Sequence, residues 1–159
     1  MAGRLGLIRV RRLLWLAKMR SPSPREEGIV QHAPYSRLYT GSSGESHFED
    51  LEVELTPVDF APPAGPLDIG QFLPTTQSFW VAAPAGWEGG RPHPTPQRQV
   101  FCTLQGEYEV TASDGTVRRF PAGSVLVLED TWGKGHTTRI VSEGENLIFG
   151  VALADAPSQ

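Results

Sequence analysis

Apolar and polar residues alternate with a period of two along much of the chain, in short runs separated by Gly and Pro. Such alternation places successive side chains on opposite faces of a β-strand, whereas an amphipathic helix repeats its apolar positions every three or four residues. After residue 36 no apolar stripe with helical spacing extends beyond two turns. The pattern therefore predicts an all-β domain, either a sandwich or a small barrel.

The alternating runs predict eight strands, at residues 47–58, 77–83, 98–104, 107–112, 117–120, 124–129, 136–141 and 146–153. Hairpin turns are expected at Gly106 and at Asp114 and Gly115, because glycine adopts a positive φ easily. The proline-rich segment 59–76 cannot be a central strand, so it is expected to form a long loop or an edge.

One predicted strand, 98–104, carries apolar residues on both faces. Its two faces are formed by Gln99, Phe101 and Thr103 and by Val100, Cys102 and Leu104. A strand of this kind is usually covered on both sides. The second face therefore favours a homodimer, in which a second subunit covers these apolar side chains.

The chain has 159 residues, which suits one domain with a core large enough to fold without disulfides or metal. Its single cysteine, Cys102, excludes an intramolecular disulfide and fits a reducing, cytoplasmic location.

Charge is distributed unevenly along the chain. Seven of the fourteen Lys and Arg residues precede residue 26, whereas all eighteen acidic residues lie at residue 26 or after it. An acidic body disfavours nonspecific binding to nucleic acid, because affinity for phosphate comes mainly from clustered basic side chains. We therefore expect no nucleic-acid partner.

The basic segment 1–20 is too often interrupted by arginine to span a bilayer, and it lacks the apolar run and cleavage site of a secretory signal. It is either a tail outside the domain, which we favour, or a transit peptide or membrane-surface helix that contacts a membrane or an acidic partner. We expect residues 1–35 to be a basic extension and linker, disordered or briefly helical. Residues 36–155 would form the β-domain, and 156–159 a C-terminal tail.

The turn residues of the second half follow a recognisable spacing. Gly115 is followed by five residues and then by Pro-Ala-Gly at 121–123. The first glycine suits a hairpin turn, the proline fixes the entry into the next strand, and the last glycine permits a tight turn. This spacing resembles the second motif of the cupins, whose fold is a small antiparallel jelly-roll barrel.

The resemblance covers about residues 75–153 and assigns residues to the polar positions of both cupin motifs. Aligned on Gly106, the first motif has His93, Thr95 and Gln99 at these positions, and the second motif has Leu126 and Asp130. The usual ligands at these positions are mostly histidine and glutamate, so the resemblance implies an incomplete metal site in which His93 is the one strong ligand.

A second histidine could complete the site. Residues 129–136, Glu-Asp-Thr-Trp-Gly-Lys-Gly-His, resemble a segment of some small cupin-like proteins. If strands 124–129 and 136–141 form a hairpin, His136 would lie at the barrel mouth and replace the ligand lost at Leu126. His93, His136 and Gln99 would then hold Fe, Zn, Mn or Ni, with Asp130 or Glu129 behind a histidine. Alternatively, His93 is a polar rim residue and His136 only hydrogen-bonds its loop.

A ligand pocket is the other expectation for the barrel interior. It would be formed by Gln99, Phe101, Leu126, Asp130, Trp87 and Trp132. Ligand pockets are typically apolar with a few convergent polar groups, and loop tryptophans suit a rim or lid.

These observations favour a cupin-like protein that binds a small organic molecule and has an incomplete metal site, with no catalytic residue assigned. The alternative is a metal-dependent oxygenase, isomerase or lyase whose metal ligands are His93 and His136. A third hypothesis is an interaction protein that docks through its basic N-terminal segment.

Overall fold

The computed structural model describes residues 31–71 and 73–154, and these residues form strands, turns and loops without a helix. The strands are β1 (Gln31–Thr40), β2 (Ser46–Val58), β3 (Leu67–Ile69), β4 (Thr75–Ala83), β5 (Gln99–Gln105), β6 (Glu107–Ala112), β7 (Val117–Pro121), β8 (Val125–Glu129), β9 (His136–Ile140) and β10 (Asn146–Leu153). The prediction of an all-β fold is confirmed. The predicted N-terminal extension up to residue 30 lies outside the described residues, as does the tail 156–159.

Two sheets make up the domain. The large sheet has seven strands in the order β3-β2-β1-β8-β5-β10-β4, and the small sheet has three in the order β7-β6-β9. All pairings are antiparallel except that of β1 with β8, which is parallel. The expected antiparallel double sheet is thus correct with one exception.

The core lies between the two sheets, because both contribute inward-facing apolar side chains. Its buried members are Leu38, Leu126, Leu128 and Ile148 from the large sheet and Tyr108, Val110, Ala112, Phe120 and Ile140 from the small sheet. Alternate positions of the same strands point away from the core, as the period of two requires. The inner faces of both sheets therefore enclose one apolar interior.

All eight predicted strands occur, with small differences at their ends, and two further strands were missed. β1 begins at Gln31, so residues 31–35 belong to a strand and not to the expected linker. Its backbone pairs with β2 along its whole length and with β8 over residues 36–39. The short edge strand β3 lies within the segment 59–76, which was expected to be a loop or an edge.

Two predicted hairpins are wrong. Gly106 joins β5 of the large sheet to β6 of the small sheet, so the strands on its two sides do not pair with each other. A Cβ at Gly106 would lie 2.8 Å from the carbonyl oxygen of Glu145, because the turn packs closely against the chain entering β10. The hairpin expected between 124–129 and 136–141 does not form either, because β8 and β9 lie in different sheets. The turn at Asp114 and Gly115 does join a hairpin, between β6 and β7.

The described part of the chain contains no helix that is long and apolar enough to cross a membrane.

Candidate functional site

A cavity of about 330 Å³ lies between the inner faces of the two sheets. Its apolar wall is formed by Val81, Ala82, Ala83, Pro84, Trp87, Pro96, Phe101, Val110, Leu126, Leu128, Ile140 and Ile148. Its polar lining residues are His93, Thr95, Gln99, Tyr108, Thr138, His136 and Asn146. A mostly apolar cavity of this size with a few polar groups is typical of a small-molecule site.

The segment that connects β4 to β5 borders the cavity on one side. Glu88 pairs with Arg139 and His93 pairs with His136, so this irregular segment lies along the edge of β9. The amide of Ile140 also donates to the carbonyl of Trp87, at 2.8 Å. These contacts hold Trp87 and His93 against the small sheet, where both side chains line the cavity.

His136 is fixed by a buried carboxylate. Its Nδ1 lies 2.6 Å from Oδ2 of Asp130, whose side chain is fully buried. The other oxygen of Asp130 accepts a 2.5 Å hydrogen bond from the hydroxyl of Thr95, and the carbonyl of Asp130 accepts one from the amide of Thr95. Thr95 is itself buried. Asp130 thus accepts hydrogen bonds from two side chains, and its contact with Nδ1 fixes the orientation of the His136 imidazole.

His93 lies beside His136, with 5.4 Å between the ring centroids and 41° between the ring planes. Its Nδ1 is 3.1 Å from the carbonyl oxygen of Arg91. A carbonyl only accepts, so this nitrogen carries the proton, and the carboxylate of Asp130 requires the same of Nδ1 in His136. An imidazole that carries its single proton on Nδ1 has an unshared electron pair on Nε2, available to a hydrogen-bond donor or a cation.

The close approach of the two histidine segments depends on Gly135. Its φ is +69°, and a Cβ there would lie 2.1 Å from the carbonyl carbon of His93. Only glycine fits this space, since any side chain would collide with backbone. The carbonyl of Gly135 accepts a 2.7 Å hydrogen bond from the hydroxyl of Ser46, which anchors the loop to the start of β2.

Of the two acids expected behind a histidine, only Asp130 is placed there. Glu129 points to the outer face of the large sheet, where it accepts hydrogen bonds from Arg37 at 2.5 Å and Arg98 at 2.9 Å. Burial raises the pKa of Glu129, but the hydrogen bonds and charges of the two arginines outweigh it, so the pKa is lowered.

The donor set does not fit a tightly held transition metal. In residues 31–71 and 73–154 no three His, Cys, Asp or Glu side chains are placed to hold one ion. Gln99 offers only a neutral amide, and Leu126 places hydrocarbon where the cupin motif has histidine. Structural and catalytic metal sites use three or four strong ligands, and here there are two imidazoles.

The other predicted pocket residues are partly brought together. Gln99, Phe101, Leu126 and Trp87 all line the cavity. Trp132 does not: it is 54% exposed, and its carbonyl accepts a hydrogen bond from Thr40 at the turn between β1 and β2. The loop that contains Trp132 is held to that turn and not to the cavity.

Sequence reasoning missed the polar groups at the other end of the cavity. Three buried side-chain atoms lack a hydrogen-bond partner there: Oδ1 of Asn146, the hydroxyl of Tyr108 and Oγ1 of Thr103. Thr103 lies near the Tyr108 hydroxyl without meeting hydrogen-bond geometry, and burial strongly raises the pKa of Tyr108. The alternation along 98–104 placed Thr103 on the same face as Gln99 and Phe101, but nothing in the sequence indicated that these three buried atoms would lack partners.

No family model and no curated sequence matches this chain. Solved structures similar to it include a cupin 2 conserved barrel domain protein from Salinispora arenicola CNS-205, 18% identical at a TM-score of 0.42, with 64% of this chain and 76% of that chain covered. The Schizosaccharomyces pombe Cnp3 cupin domain is 16% identical at a TM-score of 0.42, over 80% of this chain and 83% of that chain. Ethanolamine utilization protein Q of Salmonella typhimurium LT2 is 18% identical at a TM-score of 0.33, over 79% and 98%.

Proposed function

We propose that this cupin-like domain binds a small organic molecule in the cavity between its sheets and needs no transition metal to do so. The observation that carries the proposal is the convergence of two fixed imidazoles, His93 and His136, on a mostly apolar cavity of about 330 Å³. Apolar walls supply binding free energy, and the few polar groups orient the ligand.

Ligand-observed NMR with a library of small aromatic and aliphatic compounds tests this proposal. We expect hits that compete with one another and that are lost in Leu126→Trp, which fills the cavity from its fully buried wall position. Val117→Trp is the matched control, because Val117 is 50% exposed on the small sheet and should leave binding unchanged. If Leu126→Trp does not fold, competition among the hits still decides. Hits that do not compete would contradict a single cavity.

The metal-dependent alternative, with His93 and His136 as ligands of Fe, Zn, Mn or Ni, has one observation in its favour. The contact of Asp130 with Nδ1 of His136 is the arrangement that orients many metal-bound histidines. Elemental analysis of untagged protein, before and after loading with each metal, separates the two proposals. Stoichiometric metal that disappears in the double variant His93→Ala and His136→Ala would establish the alternative, and its absence would remove it.

We also propose that a second copy of the chain covers the outer face of the large sheet, which includes Val100, Cys102 and Leu104. Leu104 is 49% exposed there, although it belongs to a central strand. Sedimentation velocity tests this, since Leu104→Glu should yield monomers and the equally exposed Val117→Glu, on the small sheet, should not. A wild-type protein that is monomeric at high concentration would contradict the proposal.

A further inference from the structure

Polar side chains lie at both ends of the cavity, and between them the lining is apolar apart from Thr138. His136 pairs with Ala112 at one end of the small sheet, and Ile140 pairs with Tyr108 at the other. Four residues along β9 correspond to about 13 Å between these backbone positions. In the large sheet, Gln99 pairs with Ala152 near the end of β10, whereas Asn146 begins that strand. Polar side chains therefore lie at opposite ends of an elongated space.

The histidine end offers hydrogen-bond acceptors. Both imidazoles use their Nδ1 proton for a contact outside the cavity, with Arg91 and with Asp130. A ligand that approaches the two Nε2 atoms therefore forms a hydrogen bond by donating a proton, as a hydroxyl does.

The far end holds an acceptor that the protein itself does not satisfy. Nδ2 of Asn146 donates to the carbonyl of Gln105 at 3.0 Å, which settles which end of the amide is which. The free Oδ1 and the partnerless hydroxyl of Tyr108 belong to side chains that are 1% exposed and line the cavity. A buried polar atom without a partner costs free energy, so this end favours a group that can both donate and accept.

The cavity wall offers no permanently charged side chain to a charged ligand. Among the described residues that line the cavity there is no Lys, Arg, Asp or Glu. Burying an ion without a counter-charge is strongly unfavourable, so the lining selects against carboxylates and ammonium groups.

We propose that the cavity selects an uncharged, elongated small molecule with an apolar body and a hydrogen-bonding group at each end, with a hydroxyl donating to His93 or His136. This inference rests on the proposed function, that is, on ligand binding in the cavity. It adds the class of ligand: neutral alcohols and phenols with a second polar group opposite the first.

Four probes of nearly equal size test the inference by calorimetric titration. They are 1,4-benzenedimethanol, 4-methylbenzyl alcohol, p-xylene and 4-(hydroxymethyl)benzoate. We expect the diol to bind about five- to tenfold more tightly than the mono-alcohol, which corresponds to one further hydrogen bond, and the carboxylate to bind most weakly. In Asn146→Leu, the diol should lose this advantage while the mono-alcohol changes less than about twofold.

The outcomes separate the inference from the proposed function. Equal affinities for the diol, the mono-alcohol and p-xylene would overturn the role of the polar ends and leave ligand binding intact. Tightest binding of the carboxylate would overturn the selection for neutral ligands. Absence of binding by all four would count against both. If Asn146→Leu does not fold, the order of the four affinities on unaltered protein decides.

Discussion

Two consecutive carboxylates at the end of β8, Glu129 and Asp130, lie on opposite faces of the large sheet and have opposite kinds of partner. Glu129 faces outward and is held by Arg37 and Arg98, which carry permanent charges. Asp130 faces inward, is fully buried and is held by Thr95 and His136, which are neutral or titratable.

The two carboxylates also differ in what their partners do in the structure. The ion pairs of Glu129 with Arg37 and Arg98 join β1, β8 and the residue before β5, so they stabilise the large sheet. Asp130 instead contacts Nδ1 of His136, a histidine that lines the cavity. A buried acid that holds a cavity-lining histidine in place is a better candidate for ligand recognition than one paired with arginines on the outer face.

The largest expected effect is on the inner region, from Gly135→Ala. The added Cβ would collide with the backbone of His93, so we expect a loss of at least about 3 kcal/mol in the free energy of unfolding, measured by urea denaturation. Gly144→Ala is the matched control, since a Cβ at Gly144 meets nothing within 4 Å. A Gly135→Ala protein as stable as the control would show that the two histidine segments do not approach as described.

On the outer face, Glu129→Gln should cost about 2 kcal/mol, because the partly buried guanidinium of Arg98 loses its counter-charge and that of Arg37 keeps only Glu49. The exposed Glu54→Gln should change the free energy of unfolding by less than about 0.5 kcal/mol. An equal effect of both substitutions would mean that the ion pairs of Glu129 add no stability.

The lowered pKa of Glu129 predicts that the free energy of unfolding depends on pH. Its pKa is lower in the folded protein than its ordinary 4.5, so its contribution is complete above about pH 4.5 and is lost as the pH falls through the folded pKa. Stability curves of wild type and Glu129→Gln should therefore converge below pH 4.5. Curves that stay parallel down to pH 2 would contradict the lowered pKa.

A smaller change in stability, about 1 kcal/mol, is expected from Asp130→Asn, since a neutral amide fills the same space and still accepts one hydrogen bond. The informative measurement is the ¹⁵N NMR spectrum of His136. Without the carboxylate, the proton is no longer held on Nδ1, so the fraction of the tautomer protonated at Nε2 should rise. Thr95→Val is the control, because it removes a donor to Asp130 and leaves the histidine contact in place. An unchanged tautomer in Asp130→Asn would show that Asp130 does not control the imidazole.

The features that the sequence predicted, strand positions and strand faces, are mostly those that short segments determine. Alternation along 98–104 placed Gln99 and Phe101 on one face of the strand, and both side chains line the cavity. β1 was missed because Pro34 and its neighbours resemble a linker by composition, whereas its pairing with β2 and β8 makes it a strand.

Partners distant in sequence account for the remaining errors. Gly106 has the chemistry of a hairpin turn, but turn chemistry does not determine which sheet the next strand joins. Trp132 was expected at the cavity rim because its loop is rich in glycine. The contact of that loop with Thr40, which holds it at the turn between β1 and β2, is not visible in the sequence. The approach of His93 to His136 followed from the cupin resemblance, although the hairpin assumed for it does not exist.

The parallel pairing of β1 with β8 bears on the synthesis of the chain. Ser36 pairs with Leu126, roughly 90 residues later, so the edge of β1 that β8 covers leaves the ribosome long before its partner. At about 5–20 residues per second, this edge stays uncovered for roughly 5–18 seconds. An unpaired strand edge is a template for joining other chains. Until β8 is made, the nascent chain therefore exposes a strand edge with which other chains can pair.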